Sequence, residues 1–153
     1  MITQDGFGES GNLPALLSLT LARTERPARI LVVDPDEAAR QFICQVLREC
    51  GYDIAEAANG IEALLTFRYI ERGVDLVISE VVMPHVSGWD LVSRLRRTSP
   101  DVKLLLISGY TAIENSGENP VIRREDVREA ADIMRKPISI HELSYRVRDL
   151  LAG

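Results

Sequence analysis

Five polar residues stand at the ends of short apolar runs, and their types suit ion pairing at a shared site. Glu80 closes the run Leu76-Val77-Ile78 within LVISEVVMPHVSG. Asp34 and Asp36 follow Ile30 to Val33, Ser108 follows Val102 to Ile107, and Lys136 follows Ile133-Met134. A lone glutamate in such a place reads as a plain surface acid. Three carboxylates, a hydroxyl and an ammonium brought to one edge read as a site, and the clustering is far more specific than any one member. Open α/β sheets build their sites outside the carboxyl ends of the strands. The question is therefore whether the four runs are strands of one parallel sheet.

The spacing of apolar residues says that they are. Helical periodicity follows the first run, with Ala39, Phe42, Ile43, Val46, Leu47 and Cys50 inward, Asp36 as N-cap and Gly51 as the stop. Tyr52 to Ala58 alternates as an edge strand does. Asn59-Gly60 turns the chain into a helix from about Ile61 to Ile70. After the strand that ends at Glu80, Pro84 and Gly88 bracket a loop. Trp89 to Arg97 then forms a helix with Leu91, Val92 and Leu95 inward. Residues 110–124 look irregular, and a short helix is expected over 125–131. Ser139-x-x-Glu142 reads as a capping box opening a last helix, with Ile140, Leu143, Val147, Leu150 and Leu151 on one face. Strands alternating with helices five times predict a doubly wound α/β fold with a five-stranded parallel sheet and helices on both faces.

Composition narrows the function. The 153 residues suit one domain with a full core. A net charge of −5 argues against binding nucleic acid through its phosphates. No apolar run is long enough to span a membrane, and no basic region precedes the N-terminal apolar stretch, so a cytoplasmic protein is expected. Cys44 and Cys50, six residues apart on one helix, face different ways and do not suggest a disulfide. No Cys/His cluster suggests a metal site. His85 and His141 are assigned no catalysis.

Residues 1–28 differ from the rest. Gly6, Gly8 and Gly11 alternate with Asp5 and Glu9, as in a flexible tail. The segment LPALLSLTLA follows; Leu13, Leu16, Leu17 and Leu21 fit one helical face, and Leu17, Leu19 and Leu21 fit a strand equally well. The expected division is an N-terminal extension over 1–28, flexible or docking, and a folded domain over 29–153.

From Arg29 to Leu151 the chain resembles the receiver domain of bacterial two-component response regulators, of which the chemotaxis regulator is typical. ILVVDPDEAAR, GYDIAEAANGIEAL, VDLVISEVVMPHVSGWDLV, VKLLLISGYT and IMRKPIS carry the resemblance, in family order. It implies a flavodoxin-like (βα)5 fold. It also implies an aspartate after the third strand that accepts phosphate from a histidine kinase, and two acids after the first strand that help hold Mg²⁺. A Ser or Thr and a Lys-Pro pair contact the phosphoryl group, and an aromatic in the fifth strand changes rotamer. Asp34, Ser108 and Lys136-Pro137 match those positions.

Other positions depart from the pattern. Glu80 takes the phosphoacceptor place, Pro35 the second acid place, Ile133 the switch place, and Ser87 a place where aspartate is usual. Pro35 offers neither carboxylate nor backbone donor. Asp36 is committed as a cap. The extra methylene of Glu80 carries its carboxylate toward Ser108 and Lys136, where an ion pair with Lys136 needs no metal. Such a pair would imitate the phosphorylated state in part, with one negative charge where an acyl phosphate adds nearly two. A second reading stays open beside it, in which Glu80 is merely degenerate.

The resulting expectation is a single-domain atypical response regulator, a pseudo-receiver. It would act as a signalling protein-interaction module without enzymatic activity or cofactor. The alternative is a phosphate-accepting, Mg²⁺-dependent receiver in a histidine kinase phosphorelay. A flavin-binding flavodoxin is disfavoured, because no hydroxyl- and glycine-rich phosphate loop follows the first strand. No DNA-binding domain follows Gly153, so output is expected to pass through protein partners, a histidine kinase or other signalling proteins, with a homodimer possible. In the family that surface comprises the fourth helix, fifth strand and last helix, which here holds Arg135, Tyr145, Arg148 and the stretch 110–124.

Overall fold

The computed structural model describes residues 26–109 and 131–153. The N-terminal tail, the stretch 110–124 and nearly all of the short helix expected over 125–131 lie outside them. Strands β1 (Arg29–Val33), β2 (Asp53–Ala57), β3 (Leu76–Glu80), β4 (Lys103–Ser108) and β5 (Asp132–Arg135) form one sheet. Their order is β2-β1-β3-β4-β5, and every pairing is parallel. The helices are α1 (Glu37–Glu49), α2 (Gly60–Tyr69), α3 (Gly88–Thr98) and α4 (Ile140–Ala152). This is the expected doubly wound α/β fold, with β2 at an edge.

Alternation along the strands makes two cores. Successive side chains point to opposite faces of a sheet. Leu31, Val33, Val77, Leu104 and Leu106 pack with Ala63 of α2 and with Leu91, Val92 and Leu95 of α3. Ile30, Val32, Leu76, Ile78, Leu105 and Ile107 pack on the other face, with Ile43, Cys44, Val46 and Leu47 of α1 and Leu143 and Val147 of α4. Strands covered on both faces are apolar almost throughout, which is why they read as continuous runs.

The helix ends follow local chemistry. Asp36 caps α1 as expected, its side chain accepting from the N–H groups of Ala38 and Ala39. Asn59 caps α2 through the Glu62 N–H. The expected capping box at α4 is only half made. Ser139 Oγ accepts from the Glu142 N–H, but the Glu142 carboxylate turns to Arg146, 3.9 Å away. The reciprocal box belongs instead to α3. Ser87 Oγ accepts from the Asp90 N–H, and Asp90 Oδ2 accepts from the Ser87 N–H.

Phe42 and Ile140, expected inward, are 41% and 52% exposed. Phe42 falls at the rim of the arc that Ile43, Val46 and Leu47 occupy. Ile140 lies in the first turn of α4, ahead of the buried Leu143. Cys50 is exposed also, at the C-cap of α1.

Candidate functional site

The carboxyl ends of β1, β3 and β5 deliver three charges to one point. Lys136 Nζ lies 2.6 Å from Glu80 Oε2 and 3.4 Å from Asp34 Oδ2. The Asp34 side chain is buried at 3% exposed and that of Glu80 is largely covered at 10%, whereas the Lys136 side chain is 32% exposed. Among the described residues, Glu80 Oε2 takes no hydrogen bond, so its stabilisation is the ion contact with Lys136. Glu80 Oε1 accepts from the Val82 N–H at 3.4 Å. Burial works against the Lys136 charge, but the close carboxylate of Glu80, and that of Asp34 after it, outweigh burial. The ammonium is held above the usual lysine range.

The remaining acids are otherwise engaged. Asp34 Oδ1 accepts from the Asp36 N–H at 2.9 Å, and the Asp34 carbonyl accepts from Arg40 Nη1 at 2.7 Å. Pro35 stands between them without a donor, so the loop closes onto the next residue. The Asp36 side chain is turned onto the α1 terminus. Among the described residues, no three His, Cys, Asp or Glu side chains are grouped to hold a metal ion.

Ser108 is fully buried, and its Oγ donates to the Gly109 carbonyl at 3.0 Å. Its own carbonyl accepts from the Lys136 N–H at 2.9 Å, which ties the end of β4 to the residue that holds the two acids. Ile133 is half-buried and packs against the α2/α3 core. Arg146 reaches Asp132 at 2.8 Å, closing α4 onto β5.

The loop after Glu80 is held by two close approaches that spacing alone does not disclose. A Cβ on Gly88 would stand 2.4 Å from the Glu80 carbonyl oxygen, and one on Gly60 would stand 2.7 Å from Val86 Cβ. The Gly88 N–H also donates to the Val81 carbonyl at 2.8 Å. Pro84 and Gly88 mark the loop in the sequence; the part played by Gly60 has no signal there beyond a turn.

The geometry is that of a closed ionic contact at a sheet edge. It can hold charge and position, and it presents no free carboxylate pair.

Residues 30–148 match the family described as the response regulator receiver domain. The chain is 34% identical over 124 residues to the sensor kinase CckA of Brucella abortus, a match covering 81% of this chain and 12% of that protein. It is 27% identical to the response regulator receiver protein CpdR of the same organism, over 80% of this chain and 96% of CpdR. The chain spans only 12% to 19% of the length of the curated relatives matched first. Among solved structures, a response regulator receiver domain protein from Clostridium thermocellum superposes with a TM-score of 0.71. It is 25% identical and covers 82% of this chain and 94% of that one. The receiver domain of the Francisella response regulator 1452 gives 0.67 at 29% identity, covering 82% and 97%.

Proposed function

The chain belongs to the response regulator receiver family of two-component signalling, and from that premise we propose that it is a pseudo-receiver. Its Glu80 stands in for a phosphorylated aspartate, and it signals through protein contacts without carrying phosphate or catalysing a reaction. One observation carries the reading: Lys136 Nζ sits 2.6 Å from Glu80 and 3.4 Å from Asp34. In the family's chemistry the lysine meets the phosphoryl group and the acids meet Mg²⁺. Here lysine and acids satisfy one another directly.

The residues do not fit Mg²⁺. That ion demands near-octahedral oxygen ligation from carboxylates, carbonyls and water. Pro35 removes one carboxylate, Asp36 is spent on α1, and Lys136 places a positive charge between the two acids that remain. Phosphoryl transfer depends on neutralising charge on the moving group. Without the metal, Glu80 has little help as an acceptor.

Partners are histidine kinases or other signalling proteins, reached through the β5/α4 side. Tyr145 is 61% exposed there and stacks with Arg148, whose guanidinium carbon lies 6.0 Å from the ring centre. A cytoplasmic site of action, a homodimer and the absence of nucleic-acid binding belong to the same proposal. Among the described residues no helix is long and apolar enough to cross a membrane.

The test is a Mg²⁺ titration followed by calorimetry and by fluorescence of Trp89, which opens α3 close to the site. No saturable binding is expected up to millimolar metal. Saturable binding with a submillimolar constant would overturn the reading and favour the Mg²⁺-dependent, phosphate-accepting alternative.

A further inference from the structure

Helix α2 is apolar on two sides. Ala63, Leu64 and Phe67 face the sheet. Ile61, Leu65 and Tyr69 stand on the outer side, 51%, 54% and 71% exposed. A spacing of four makes them one stripe, about 12 Å from first to last at the helical rise. A surface helix ordinarily turns polar residues to water, and a contiguous exposed apolar strip marks a place where something docks.

The order of residues along the strip fits a second copy of itself. Leu65 is the midpoint. Ile61 and Tyr69 lie four residues before and after it, and Glu62 and Arg68 three before and after. A twofold axis at Leu65 that runs two such helices antiparallel sets Ile61 level with Tyr69 of the second copy, and Glu62 level with its Arg68. Acid then meets base at both ends. A parallel pair would set Glu62 level with Glu62 and Arg68 level with Arg68. Both charges are drawn to the strip. One oxygen of Glu62 accepts from the Ala58 N–H at 3.2 Å, which holds the carboxylate at the N-terminal end and leaves the other oxygen for a partner. The guanidinium carbon of Arg68 lies 5.5 Å from the centre of the Tyr69 ring, at the C-terminal end. Antiparallel macrodipoles favour the same arrangement.

We propose that two copies of this chain pair through α2, antiparallel about Leu65. Ile61, Leu65 and Tyr69 form the seam, and Glu62–Arg68 ion pairs close its two ends. This assigns an interface to the homodimer of the reading above and rests on that part of it alone. Helices α2 and α4 cover opposite faces of the sheet, so the β5/α4 side of each copy stays open. One assembly then offers two partner-binding surfaces, and a divalent partner gains avidity from both. A seam of one ten-residue helix per copy is small beside the roughly 1,200 Å² of a stable complex. The dimer is therefore weak, forming between about ten micromolar and about one millimolar chain.

Sedimentation equilibrium of the full chain across that range tests the proposal. The average mass of the parent should rise from one chain toward two. Leu65→Asp sets two carboxylates face to face on the axis and should stay monomeric throughout. Arg68→Glu should weaken association several-fold, and the swap E62R/R68E should bring it back. A parent that stays monomeric, or a Leu65→Asp variant that associates as the parent does, would overturn the proposal. So would an Arg68→Glu variant of unchanged affinity, or a swap that restores nothing. A second measurement stands if Leu65→Asp fails to fold. Leu65→Cys in a C50S background, which leaves only the buried Cys44 besides, is oxidised with copper-phenanthroline. A disulfide-linked dimer should form in several-fold higher yield than from Gln45→Cys, on exposed α1, in the same background. Equal yields would overturn the proposal. Neither readout involves Mg²⁺ or phosphate, so failure here leaves the Glu80 reading standing, and failure of that reading leaves this interface.

Discussion

Lys136 is the residue through which the site holds together, since two carboxylates, one buried and one largely covered, depend on one ammonium that is itself only partly covered. Removing one partner of a buried pair leaves the other charge uncompensated, at about 3–5 kcal/mol when the burial is complete. The partial exposure of Lys136 lowers that figure, so Lys136→Met should cost about 1–3 kcal/mol in denaturant unfolding. The pH dependence has a definite sign. The folded-state pKa of Lys136 is raised, so its contribution is fully present below the unfolded lysine value and is lost as pH climbs through the folded value. The difference between parent and Lys136→Met should therefore be flat through neutral pH and shrink only in strong alkali. A difference that shrinks between pH 6 and 8 would show that another group governs the pair. Glu80→Gln removes the larger of the two raising influences and leaves Asp34 in place. The Lys136 titration followed by NMR should move down, with a stability change under about 1 kcal/mol because the amide can still accept a hydrogen bond. Binding of the variant to a signalling partner should change more than its fold does. Cys44 offers an internal check on burial. Burial first, and the nearby Glu56 charge second, push its thiol up to about 11. Alkylation at neutral pH should therefore stop at one thiol per folded chain, on Cys50.

The turn between β3 and α3 positions Glu80, and it tolerates no side chain at Gly88. A methyl there would meet the Glu80 carbonyl oxygen at 2.4 Å, so the loop or the strand end must shift. Overpacking of this kind costs about 1–3 kcal/mol, and Gly88→Ala should lower the unfolding midpoint accordingly. An unchanged midpoint would mean that the turn is looser than described. Ser87→Ala should cost about 1 kcal/mol by removing half of the capping box. At this scale the sequence was legible where one local rule decides. The β3 run, the Asp36 cap and the reach of Glu80 to Lys136 follow from strand length, cap chemistry and one methylene. Where two local rules compete, the sequence was less clear. Ser139-x-x-Glu142 and Ser87-x-x-Asp90 both look like boxes. Only the second closes, because Arg146, one turn on, draws the Glu142 carboxylate away. Phe42 and Ile140 share the helical spacing of the core yet lie at its rim, a distinction set by how far each helix overhangs the sheet. The contact of Gly60 with Val86 joins two distant loops and leaves no local trace.

The whole molecule is a receiver scaffold. Both faces of the sheet are packed, the strand order is that of the family, and Asp34, Ser108 and Lys136 stand at the sheet edge where the motifs place them. The fold was legible because alternation of strands and helices, and apolar runs covered on both faces, leave few topologies to choose from. The closed state of the site was only half legible: residue types gave the pair, but that Asp34 shares the same ammonium needs the register of three strands. If the centre differs from a working receiver only at two positions, restoring both should restore the chemistry. Pro35→Asp with Glu80→Asp returns the missing carboxylate, a backbone N–H and the shorter acceptor. Glu80→Asp alone returns the acceptor without the metal that shields incoming charge. Ile133 would still lack an aromatic rotor, so the restored protein should accept phosphate and switch poorly. The most direct measurement is intact mass after incubation with acetyl phosphate and Mg²⁺. The account predicts no added phosphate on the parent, little on the single Glu80→Asp variant, and one phosphate per chain on the double variant. Stoichiometric phosphorylation of the parent would contradict it.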